Sequence, residues 1–75
     1  MKAVEVLQGV KRSMKANGYV DFNIYDKAEN VYGNTDSTRY HFSDGSILSF
    51  MIESKLYVAW SIYENLRGQG ETFQA

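Results

Sequence analysis

The spacing of apolar residues changes at Asn17-Gly18, and that change limits what the chain can become. Before it, Ala3, Val6, Leu7, Val10 and Met14 recur at intervals of three and four, which gathers them into one stripe of a helix over Lys2–Ala16. After it, apolar and polar residues alternate, the signature of strands buried on one face. Gly18 tolerates the left-handed conformation that ends a helix. Lys11, Arg12 and Lys15 lie in the last turns, where cations complement the negative end of the helix dipole.

Alternation places Val20, Phe22 and Ile24 in a first strand, with Asp21, Asn23 and Tyr25 on its other side. Asp26–Asp36 is polar, holds Gly33 and Asn34, and reads as a connection in which Val31 and Tyr32 either form a short strand or extend the next one. Thr38, Tyr40 and Phe42 mark a second strand, with Arg39 and His41 between them. Leu48, Phe50 and Ile52 mark a third, and Leu56, Val58, Trp60 and Ile62 a fourth. Glu64–Ala75 is weakly periodic, holds Gly68 and Gly70, and reads as a flexible tail with Phe73 as its apolar anchor.

Turn chemistry sets the registers. A two-residue Asp44-Gly45 turn would put Arg39 and His41 on the Leu48 and Phe50 face. A three-residue loop over Ser43–Gly45 instead pairs Tyr40 with Leu48 and Thr38 with Phe50, and gives Gly45 the left-handed position of a bulge. The second choice keeps one apolar face continuous and is preferred, because a slip of one residue inverts a strand. The same parity pairs Phe50 with Val58 and Leu48 with Trp60 across Glu53-Ser54-Lys55. The expected fold is a single α+β domain over 1–63, with the N-terminal helix on one face of an antiparallel four-stranded β-meander (α-β-β-β-β), followed by the tail 64–75.

With 75 residues and no Cys, the chain can hold one modest core, and neither disulfides nor thiolate metal sites are open to it. The absence of Cys suits a reducing compartment, and the amphipathic start does not resemble a signal peptide, so a cytoplasmic location without membrane contact is expected. A net charge of -1 argues against a strongly basic nucleic-acid binder and against an acidic mimic of nucleic acid.

Catalytic machinery is not evident. His41 is the one histidine; with Asp44 and a serine it could compose a triad on paper, but no Gly-x-Ser-x-Gly elbow is present and the strand pattern puts it on the outer face. Asp21, Asp26, Glu29, Asp36 and Asp44 lack calcium-loop spacing, and most lie near turns. Gly68-Gln69-Gly70 lacks the lysine and the following helix of a phosphate loop. No enzyme activity, cofactor or metal site is expected.

Two surfaces remain. Lys11, Arg12 and Lys15 could contact phosphates, although a solvated helix face that complements the dipole is the better account of only three charges. The sheet face turned away from the helix is expected to carry Tyr25, Arg39, His41, Ile47, Met51, Tyr57, Ala59 and Tyr63. Tyr, Met and Arg are enriched where proteins meet. The sequence therefore points to a small non-enzymatic protein-binding module, an inhibitor or adaptor whose partner is another protein or a second copy in a homodimer. Phage proteins that block host or defence machinery are often built this way, an analogy of size and class only. The alternative is a small nucleic-acid-binding module using the basic helix face or the Tyr-rich sheet face.

Overall fold

The computed structural model describes residues 2–61 and 70–75. Helix α1 spans Ala3–Asn17, and its buried stripe is Ala3, Val6, Leu7 and Val10, joined by Ser13. Lys2 precedes it and has no side-chain acceptor with which to cap the first free N–H groups. Other residues supply the acceptors: a Glu5 carboxylate oxygen takes the Lys2 N–H at 3.2 Å, and the Ser46 hydroxyl oxygen takes the Ala3 N–H at 2.8 Å. At the other end Gly18 adopts φ 79° and donates its N–H to the Met14 carbonyl at 2.9 Å.

Five strands follow among the described residues: β1 Asn30–Gly33, β2 Ser37–His41, β3 Ile47–Met51, β4 Leu56–Trp60 and β5 Glu71–Gln74. They form an antiparallel meander in chain order, so every neighbour in sequence is a neighbour in space. The helix lies on one face and packs most closely over β3 and β4. Leu7, Val10 and Leu48 are fully buried between the layers, with Tyr40, Tyr57 and Ala59 around them. No helix among the described residues is long and apolar enough to cross a membrane.

Architecture follows the expectation, with one strand more than the four foreseen. The β2–β3 register is the one that Gly45 demands: Tyr40 pairs with Leu48, Thr38 with Phe50, and Gly45 takes φ 88°. The β3–β4 register differs by one residue. Phe50 faces Tyr57 and Leu48 faces Ala59, across a four-residue loop in which Lys55 adopts φ 55°. Strand β4 is apolar on both sides, so parity alone could not choose. What decides it is size: Ala59 sits wholly buried beneath the helix, where the indole of Trp60 would hold the two layers apart.

The strand expected over Val20–Tyr25 does not form. Ile24–Lys27 is a single 3-10 turn, started by the Asn23 side chain, which accepts the Tyr25 N–H at 3.0 Å. Asp21 ties this segment to the helix by accepting from the Ser13 hydroxyl at 2.7 Å and the Asn17 amide at 2.9 Å. Val20, Phe22 and Ile24 still pack on the core. Their alternation records one-sided burial, not pairing with a neighbouring strand. At the other end of the chain, Glu71–Gln74 pairs with β4, and Phe73 joins the helix-side core opposite Tyr57. Ile52, expected inside, is 42% exposed beyond the end of β3.

Candidate functional site

Every strand contributes alternate residues to the face turned away from α1. Tyr32 comes from β1; Ser37, Arg39 and His41 from β2; Ile47, Ser49 and Met51 from β3. Strand β4 supplies Leu56, Val58 and Trp60, and β5 supplies Thr72 and Gln74. No described element packs on this face. Its centre is nonetheless dry, with Val58 only 7% and Ser49 only 5% exposed. Ile47, Met51, Leu56 and Trp60 are half-buried around that centre. The result is a continuous apolar strip on the outside of the sheet.

The residues expected here divide into three groups. Arg39, His41, Ile47 and Met51 do share the outer face. Tyr57 and Ala59 do not: the register shift turns both toward the helix, where they are 9% and 0% exposed. Tyr25 is also displaced, because it lies in the 3-10 turn and sets its ring edge-on against core Tyr40, with centroids 5.6 Å apart. Tyr63 lies outside the described residues. Leu56, Val58 and Trp60 take the place of Tyr57 and Ala59, which makes the face more apolar than the sequence reading supposed. Their alternation in β4 was visible; which way it pointed was not.

Trp60 is fixed by its cross-strand neighbour. A Cβ on Gly70 would stand 2.5 Å from the Ala59 carbonyl oxygen and 3.1 Å from the indole ring, so only glycine fits against that ring. Close backbone approach of this kind is a usual reason for glycine in a strand pair.

No protein-family model, curated protein or solved structure matches the chain. The site must therefore be read from its chemistry.

His41 sits edge-on against Tyr32, with ring centroids 4.9 Å apart. Asp44, its partner in a notional triad, is bound elsewhere: it accepts from the Ser46 hydroxyl and, at 3.0 Å, from the Ser46 N–H. That hydroxyl contact is the main reason the Asp44 carboxyl is held below the usual carboxylate range. Burial pushes the Tyr57 phenol upward, and does the same to Tyr40, helped by the neighbouring Tyr25 and Tyr57. Among the described residues no three His, Asp or Glu side chains gather as a metal-binding group.

The basic helix residues are not a clear patch. Lys11 is half-buried and Lys15 exposed. Arg12 lines a groove of about 570 Å³ between α1 and the 3-10 turn, with Lys27 but also with the acids Glu5 and Asp21. Charges of both signs dilute any attraction for phosphate.

Proposed function

We propose that this protein works as a non-enzymatic binding module, an inhibitor or adaptor that grips another protein with the outer face of its sheet. The observation that carries the reading is the apolar strip in which Ile47, Met51, Leu56 and Trp60 stand half-exposed around buried Val58, on a face that no described element covers. A solvated antiparallel face normally alternates apolar-in with polar-out, and here β4 is apolar in both directions. Contiguous apolar surface of this kind marks interaction sites. Trp, Met and Arg are types enriched at such sites, and Trp and Arg dominate binding hot spots. Asp44 is engaged by Ser46 and His41 packs edge-on against Tyr32, so the two are not arranged as an acid–base pair.

The test is an affinity capture from the source cells with the wild type and a Leu56→Ser, Trp60→Ser double variant as baits, read by mass spectrometry. One protein recovered by the wild type and lost with the variant is the expected outcome. Recovery that disappears on nuclease treatment would instead favour the nucleic-acid alternative. Identical recovery with both baits would remove the face from consideration.

A further inference from the structure

Resting on that reading, we infer that the partner presents a carboxylate beside its apolar contact, so that an Asp or Glu enters the hollow next to Arg39 while neighbouring apolar side chains cover the strip. Arg39 is exposed on the outer face and forms no ion pair among the described residues. Beside it lies a hollow of about 230 Å³ lined by Tyr32, Gly33, Asn34 and Ser37. The Tyr32 and Ser37 hydroxyls add donors to the guanidinium, a set that suits a carboxylate. The Asn34 side-chain oxygen is already used, accepting the Asp36 and Ser37 N–H groups at 2.8 Å, which holds the hairpin that shapes this wall. Asp36, the nearest acid in sequence, lines a different hollow with Met51 and Ile52.

Charge decides between a second copy and a different protein. None of the outward residues of the five strands is acidic: they carry the Arg39 guanidinium and the His41 imidazole and no carboxylate. Two copies packed face to face would cover two arginines without a counter-charge. Burying an unpaired cation is costly, whereas an acidic partner removes that cost and fixes its own orientation.

The experiment pans the full chain against a displayed library of random short peptides, then titrates synthetic copies of those recovered, following the emission of Trp60, the one tryptophan. The expected peptides place Asp or Glu within a few residues of Leu, Ile, Phe or Trp, beyond the library background. Arg39→Glu should weaken them about tenfold or more and Arg39→Lys by less, with affinity falling as salt rises. Leu56→Ser should weaken the same peptides. The inference is overturned if no peptide is recovered, if acids are not enriched, or if Arg39→Glu binds as the wild type does. Sedimentation of the wild type as a dimer that Leu56→Ser dissociates would give the face to a second copy and overturn it equally. Peptides that need Leu56 but ignore Arg39 would remove the carboxylate and leave the binding face standing. A face variant that changes no capture at all would remove both.

Discussion

The two faces of the sheet are built from the same strands and treated differently. Toward the helix, Leu48, Tyr57 and Ala59 are closed over by Val6, Leu7 and Val10, and nothing apolar at the centre meets water. Away from it, Leu56, Trp60, Ile47 and Met51 are left half-exposed around a dry centre. The difference separates what the fold needs from what it merely carries. The helix-side layer is complete in itself; the outer layer resembles half of an interface. Substitutions on the two faces should therefore behave differently, and the contrast can be broken or sharpened residue by residue.

The largest effect belongs to the helix side. Leu7 is fully buried, and Leu7→Ala should cost about 2–5 kcal/mol from the lost transfer energy and the cavity left behind. That is most of the stability a domain of this size commands. Urea unfolding followed by circular dichroism measures it; an unchanged midpoint would mean that the helix does not seal this layer.

Next comes Gly70, which belongs to the seam between β4 and β5. Because an added Cβ meets backbone as well as the Trp60 ring, β5 must move to accept it. Gly70→Ala should destabilise by about 1–3 kcal/mol, the usual range for overpacking. It should also shift Trp60 emission. A silent substitution would show that β5 is not held against the indole.

These two positions show where sequence reading works and where it stops. The helix stripe was legible because Val6, Leu7 and Val10 leave one face no alternative. The β2–β3 register was legible because a left-handed Gly45 fixes the loop length. Strand β4 defeated the same reasoning: Leu56, Val58 and Trp60 outscore Tyr57 and Ala59 in bulk, yet the layer under a helix selects the small residue. Hence Arg39, His41, Ile47 and Met51 were placed correctly, while Tyr57 was exchanged for Trp60. Phe22 and Ile24 misled in another way, since burial of one side of an unpaired segment against the core gives the same alternation as a strand. Glu71–Gln74 pairs with β4 through a partner strand distant in sequence, with Phe73 opposite Tyr57, which no local pattern reveals.

Smaller effects test how the helix is joined to the hairpin. Ser46 is buried and accepts the Ala3 N–H, so Ser46→Ala should cost about 1–2 kcal/mol through an unsatisfied donor at the helix start. Asp44, which accepts from the same hydroxyl, has a lowered carboxyl pKa in the folded state. Its contribution is therefore present at neutral pH and is lost as pH falls through that lowered value. Thermal unfolding across the acid range should show this loss in the wild type and a weaker one in Ser46→Ala. At the alkaline end the sign reverses. Tyr40 and Tyr57 have raised values, so what they contribute is intact below the ordinary tyrosine range and is lost as pH rises through the raised one. The part of the tyrosinate absorbance that belongs to Tyr40 and Tyr57 should appear together with loss of the circular dichroism signal, and Tyr57→Phe should delay that loss.

The smallest expected change in stability is the most informative about the outer face. Leu56 is half-buried at the margin of the strip, with no described element above it. Full burial of a leucine is worth about 1.5–3 kcal/mol, so exposing the rest of Leu56 through Leu56→Ser should cost about 1 kcal/mol or less. The same substitution should abolish capture of the partner, because an apolar strip next to Arg39 works only while it is continuous. Stability and binding would then separate on one residue, as they cannot at Leu7. If Leu56→Ser lowered the unfolding midpoint as far as Leu7→Ala does, the outer face would already be a sealed layer of the fold. The strip would then be core, the contrast between the faces would vanish, and the binding role would lose its support.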